Sequence, residues 1–186
     1  MPTFRSYYPF KCILKYIPSR YCNLKDWQIA NQKYVYAFKD KGEMKTEHKE
    51  KLLKTIKEIA GKDTTNCLLC FIPASTKERH QRRYGKLALY LQNNLDFPVM
   101  IDGITCDDRN SVHLKENKDL HPIFDFILNA DFFGKKVILF DDVITTGESL
   151  RSIGGAVDDM GAYSVYGVIY AMTIHPQLPF KHKNKK

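Results

Sequence analysis

Asp141 and Asp142 stand side by side after the apolar run Val137-Ile138-Leu139-Phe140, and Val143-Ile144-Thr145-Thr146-Gly147-Glu148-Ser149-Leu150 follows them. The residue types divide into two chemistries. Carboxylates accept hydrogen bonds from vicinal hydroxyls, directly or through a hard cation such as Mg2+. Hydroxyls and a glycine at the start of a helix hold an anion. The first N–H groups of a helix lack intrahelical partners, and its dipole is positive at that end. Gly147 lets the backbone approach a phosphate closely, while Thr145, Thr146 and Ser149 add hydroxyl donors. Carboxylates for a diol beside an anion nest describe a sugar phosphate, most simply a ribose 5-phosphate. Helix capping alone explains one or two of these residues, not the whole run. Neither a Gly-Lys-Ser/Thr phosphate loop nor a Gly-x-Gly-x-x-Gly fingerprint occurs.

The elements that must position this run alternate between strands and helices. Residues 136–140 read as a buried strand that ends in the two carboxylates, and residues 147–160 as a helix with Leu150, Ile153, Val157 and Met160 on one stripe. Gly161 is placed to cap it. Residues 67–72 are continuously apolar and stop at Pro73, which suits a strand covered on both faces. Tyr34 to Phe38 is rich in strand formers and closes on the turn residues Lys39 to Gly42. Helices are expected over 43–60, 78–91 and 121–130, and short strands over 99–101 and 165–171. Residues 103–119 are polar and read as a long functional loop. Residues 1–33 are aromatic, basic and turn-rich, without a clear period. The pattern predicts an α/β fold with a mainly parallel twisted sheet flanked by helices. It divides into an N-terminal lobe or hood (1–33), a core (34–175) and a basic tail (176–186).

Composition narrows the classes further. The chain has 186 residues, 44% hydrophobic and 27% charged, which excludes wholesale disorder. No apolar run has the length of a membrane span, and the first twenty residues lack the apolar core of a signal peptide. Half of the +8 formal charge comes from Lys181, Lys183, Lys185 and Lys186. The remaining body suits an anionic ligand and is weak evidence for nucleic acid. Five cysteines, an odd and sparse set, point to a reducing cytoplasm. Cys67 and Cys70 are three apart in a strand, so they face opposite ways and read as buried apolar residues rather than ligands.

Phe140 to Leu150 resembles the phosphoribosyl pyrophosphate (PRPP) motif of the type I phosphoribosyltransferases. Within that superfamily the chain most resembles the competence-protein F (ComF)-like branch. Tyr36 to Gly42 is similar to that branch's early strand and turn, and Ile72-Pro73-Ala74-Ser75-Thr76 occupies the place of its pyrophosphate loop. The resemblance spans Tyr34 to Thr173. Where many members carry Arg-Gly-Phe-Asn-Gln, this chain has Arg82-Arg83-Tyr84-Gly85.

The resemblance implies a type I phosphoribosyltransferase-like fold and a Mg2+-dependent transfer of phosphoribosyl from PRPP to a nitrogen nucleophile, with release of pyrophosphate. Asp141 and Asp142 would hold the ribose hydroxyls and, indirectly, Mg2+. Thr145, Thr146, Gly147, Glu148 and Ser149 would hold the 5-phosphate. Ala74, Ser75, Thr76 and Lys77 would hold the pyrophosphate, with Arg109, His113 and Lys115 reaching in from the flexible loop. The partners implied are PRPP and a small-molecule acceptor, with a homodimer left open. A non-catalytic PRPP or nucleotide sensor and a DNA-handling protein are the alternatives, nucleic acid being the less favoured partner. Some ComF-like proteins carry a four-cysteine zinc module, but only Cys12 and Cys22 precede the core here.

Overall fold

Burial on both faces selects the centre of the sheet. All five residues of Cys67–Phe71 are buried, as are Val137 to Asp142 within Lys136–Ile144. A computed structural model describes residues 8–21, 23–106 and 126–175. Its elements in order are β1 (Phe10–Tyr16), α1 (Asp26–Lys41), α2 (Thr46–Ala60), β2 (Cys67–Phe71), α3 (Lys77–Gln92), β3 (Val99–Met100), β4 (Ile104–Cys106), β5 (Phe126–Leu128), β6 (Lys136–Ile144), α4 (Glu148–Asp159) and β7 (Ser164–Thr173). Five strands form one sheet in the order β1-β7-β6-β2-β3, parallel at every pairing. Strands β4 and β5 form a separate antiparallel pair.

Helices cover both faces of the sheet, as the alternating pattern predicts. Val35 and Phe38 of α1, Leu52 and Ile56 of α2, and Tyr84, Leu87 and Leu91 of α3 pack on one face with Ile138 and Phe140. Leu150, Ile153 and Val157 of α4 pack on the other with Val137, Leu139 and Ile104. Cys67 belongs to the first layer and Cys70 to the second, as an odd spacing in a strand requires. The described cysteines Cys12, Cys67, Cys70 and Cys106 are free thiols. Among the described residues, no helix is long and apolar enough to cross a membrane.

Four local expectations are corrected. Tyr34 to Phe38 lies within α1 rather than in a strand. Val35 and Phe38, three residues apart, bury one helical stripe, and the Phe38 ring meets Tyr170 at 5.0 Å and Tyr84 at 6.0 Å. That packing outweighs the strand preference of aromatic and β-branched residues. The segment before residue 33 is not all irregular, because β1 is an edge strand paired with β7. Exposed Lys11 and Lys15 obscure its alternation, and charged residues of this kind keep a sheet edge from pairing with other chains. The expected division at 33/34 therefore falls inside α1. Residues 126–128 form strand β5, not part of a helix, with Phe126 opposite Cys106 and Leu128 opposite Ile104; residues 121–125 lie outside the described set. Finally, β6 runs past the carboxylates to Ile144, with Asp141 opposite Ile169 and Ile144 opposite Met172.

Gly42 ends α1 in the left-handed region at φ 67°. A Cβ there would lie 2.4 Å from the Arg82 carbonyl oxygen and 2.9 Å from that of Arg83. The end of α1 is thereby seated on the backbone of α3. Gly42→Ala should lower stability by roughly 2–4 kcal/mol, since left-handed strain and a backbone clash add. Urea unfolding measures it, and a loss under ~0.5 kcal/mol would contradict this packing.

Candidate functional site

The connections leaving β2 and β6 diverge. Strand β2 leads through α3 to β3 on one side, and β6 leads through α4 to β7 on the other, with α3 and α4 on opposite faces. The carboxyl ends of β2 and β6 thus flank a topological switch point, where open α/β sheets bind ligands. The Ile72 N–H donates to the Phe140 oxygen at 2.8 Å, so the loop after β2 begins beside the carboxylates of β6.

The turn after β6 leaves an open helix start, here termed the cradle. Gly147 occupies the N-cap of α4 at φ 83°, and no side chain caps it. A cavity of about 170 Å³ opens there, lined by Asp141, Val143, Ile144 and residues 145–150. Thr145 bonds Thr173 of β7 at 3.0 Å, which fixes the turn to the neighbouring strand. The Glu148 N–H reaches Thr146 Oγ1 at a long 3.4 Å, and the Glu148 side chain turns outward to Arg151 at 3.1 Å. The Glu148 carboxylate is thereby paired with Arg151, although Glu148 also lines the cavity.

The two carboxylates have different surroundings. Asp141 lines the cradle, and its Oδ1 accepts the Asp142 N–H at 2.8 Å. Burial, and then the neighbouring Asp142 charge, push the Asp141 carboxyl well above the usual carboxylate range. Asp142 faces the helices instead. Its Oδ2 lies 2.5 Å from Arg83 of α3 and 3.8 Å from Lys39 of α1. These contacts are ionic rather than aligned hydrogen bonds, so Oδ2 keeps acceptor capacity among the described residues. Burial opposes the charge of Arg83, but Asp142, Tyr84 and Asp141 together outweigh it and raise the guanidinium pKa. Arg83 Nε also donates to the Lys39 carbonyl at 3.3 Å.

The second loop is framed by α3. Thr76 caps that helix through the Arg79 N–H at 3.2 Å, and Arg79 donates to Ser75 Oγ at 2.9 Å. Ala74 is buried, and its N–H donates to His80 Nδ1 at 3.3 Å, so it belongs to the frame of the loop. Lys77 opens α3. A cavity of about 360 Å³ lies between this loop and β4, lined by residues that include Ala74, Thr76, Lys77, His80, Asp102 and Cys106.

The 74–77 segment follows β2, the 141–149 run ends and follows the neighbouring strand β6, and the two line separate cavities. Arg109, His113 and Lys115 lie outside the described residues, as does Cys22. The sequence pattern does not single out Lys39 or His80, and it leaves Arg79, Arg82 and Arg83 unassigned. The i, i+4 spacing of Arg79 and Arg83 on α3 was the available signal: the first arginine reaches the loop and the second the carboxylate. Among the described residues, no group of three or more His, Cys, Asp or Glu side chains could hold a metal. Asp141 presents a hard carboxylate oxygen to the cradle cavity, the donor type that Mg2+ takes.

No family model matches the chain, and no curated protein matches it. Solved structures align with it distantly. A purine phosphoribosyltransferase from Pyrococcus horikoshii Ot3 does so at 16% identity and TM-score 0.40, over 93% of this chain and 99% of that one. A hypoxanthine phosphoribosyltransferase from Staphylococcus aureus aligns at 14% identity and TM-score 0.40, over 77% of each chain. A hypoxanthine-guanine phosphoribosyltransferase from Bacillus anthracis aligns at 14% and 0.41, over 76% of this chain and 79% of that one. At such distance, function must come from the chemistry of the site itself.

Arg83→Met should destabilise the fold by about 3–5 kcal/mol, because it strands a buried carboxylate. Arg83→Met with Asp142→Asn should lose less than Arg83→Met alone. A double-mutant cycle by urea unfolding measures both, and strict additivity would contradict the ion pair.

Acid should weaken the fold through two histidines. Burial first, and for His48 the nearby Lys45, hold the His48 and His80 pKa values below 6.5. The unfolded chain then binds more protons, so this stabilisation is complete above pH 6.5 and is lost as pH falls through the folded values. The slope approaches about 1.4 kcal/mol per pH unit for each histidine. Asp141, whose raised pKa gives the opposite slope, offsets part of this, so unfolding midpoints measured from pH 7.5 to 5 should fall more steeply with acid in Asp141→Asn than in the wild type, and a flat profile in the variant would oppose this.

Proposed function

We propose that the chain is a phosphoribosyltransferase of the type I kind, with the ComF-like branch the nearest in motif. It binds PRPP and passes the phosphoribosyl group to a nitrogen nucleophile. The bond from C1 to the pyrophosphate oxygen breaks, a C1–N bond forms, and the nitrogen's proton leaves to base or solvent. One observation carries this reading: an uncapped helix start opens into a cradle walled by Asp141, at a switch point one strand away from the Ala74–Lys77 loop.

The roles follow from position. The N–H groups and hydroxyls of Thr145 to Ser149 hold the 5-phosphate. Asp141 takes a ribose hydroxyl from the cradle wall, while Asp142, on the helical side of the strand, is held by Arg83 and Lys39 and fixes the strand end that carries Asp141. Ser75, Thr76 and Lys77 receive the departing pyrophosphate at the start of α3. When bound, Mg2+ supplies neutralisation of the pyrophosphate charge. The reacting centre develops positive character as pyrophosphate departs, so orientation and electrostatics do most of the work. The dominant protein contribution is thus a set of fixed donors and carboxylates rather than a nucleophile.

Calorimetry with ribose 5-phosphate and with Mg2+-PRPP should show binding to the wild type. Asp141→Asn should weaken it about ten- to a hundredfold, the value of one charge-assisted contact. A pyrophosphate-release screen over bases and amines then identifies the acceptor. Binding without release for any acceptor would favour a sensor, and no binding of either ligand would overturn the reading.

A further inference from the structure

Ala74 is held on both sides of its Cα. Its N–H donates to His80 Nδ1 at 3.3 Å, and its carbonyl accepts from the Cys106 thiol at 3.2 Å. His80 and Cys106 are both buried, and both line the 360 Å³ cavity. His80 itself has no freedom to turn. Its Nε2 bonds the Ile101 carbonyl at 2.8 Å and must be the donor there, which leaves Nδ1 as the acceptor that Ala74 needs. Its ring packs edge-on against Tyr84 at 4.9 Å.

We propose that His80 and Cys106 are positioning residues that fix both backbone dihedrals of Ala74 and so hold the Ser75–Lys77 backbone ready for a pyrophosphate group. The inference rests on the functional reading above and adds to it the parts that shape the leaving-group loop. The Ala74 N–H is engaged within the frame and is not among the groups the loop can offer a ligand. The clamp also joins three elements, because His80 comes from α3, Cys106 from β4 and Ala74 from the loop after β2.

The clamp needs a neutral imidazole. Protonation puts a hydrogen on Nδ1 and removes the acceptor for Ala74. Burial holds the His80 pKa down, the Ile101 carbonyl and Asp102 act against that, and Arg83 adds to it. The other titratable groups on the surrounding elements are Lys77 and Tyr84 of α3 and Cys106 of β4.

The test separates the two ring nitrogens. His80→Asn keeps an acceptor near the Nδ1 position, and His80→Gln keeps a donor near Nε2. Calorimetry should find Mg2+-pyrophosphate affinity for His80→Asn close to wild type and for His80→Gln about tenfold weaker, the scale of one lost polar contact. Cys106→Ser, which keeps a donor, should bind more tightly than Cys106→Ala. Ribose 5-phosphate affinity should be unchanged in all four, because its cradle lies on another loop. Equal pyrophosphate affinity in the Asn and Gln variants would overturn the clamp. Independently of any ligand or variant, the Ala74 amide resonance of the wild type should titrate together with the His80 ring in NMR. An Ala74 amide that ignores the His80 titration would also overturn it. A wild type that binds neither ligand would instead refute the functional reading, with the amide titration still deciding the clamp.

Discussion

Two carboxylates on consecutive residues of a strand buried on both faces are the constraint around which the rest is arranged. Each would repel the other and neither is well hydrated. The fold resolves this by the alternation of the strand itself. Asp142 meets Arg83 and Lys39 on the helical face, and Asp141 opens to the cradle and holds its proton more tightly. Satisfying Asp142 demands that α1 and α3 converge over the end of β6. The contact of Gly42 with the α3 backbone and the Arg83 bond to the Lys39 carbonyl are parts of that convergence.

The loops after β6 and β2 differ in how they are kept in shape. The 145–149 turn relies on backbone conformation, with Gly147 left-handed and one hydroxyl link to β7. The loop after β2 relies on side chains, namely Arg79, His80 and Cys106. A turn whose conformation is written into a glycine needs few side-chain bonds, here Thr145 to Thr173 and the long Glu148 N–H contact with Thr146. A loop shaped by side chains spends some of its polar groups on its own frame.

This difference also explains what was legible in the sequence. The 137–150 run was readable because a buried strand, paired carboxylates and a glycine at a helix start are local patterns. The Cys67–Phe71 strand and the α2, α3 and α4 helices were readable from burial period and length. The α1 segment was not, because Tyr34, Val35, Tyr36 and Phe38 favour strands locally and form a helix only against Phe140, Tyr84 and Tyr170. Strand β1 was hidden for the opposite reason: its lysines obscure the alternation, and its partner β7 is distant in the chain. His80 carries no local signal at all, since its role depends on Ala74 and Ile101, which come from two other loops.

The pairing of β1 with β7 has a consequence for how the molecule is made. Phe10 lies opposite Gly167 and Tyr16 opposite Thr173, so the sheet joins segments separated by most of the chain. Such distant pairings close late and slow folding. During synthesis β1 emerges first yet has no neighbour until β7 leaves the ribosome. In the interval the exposed charges of Lys11 and Lys15 discourage the waiting strand from pairing with another nascent chain, so the two lysines that hide β1 from the sequence reader also keep it soluble until its partner arrives.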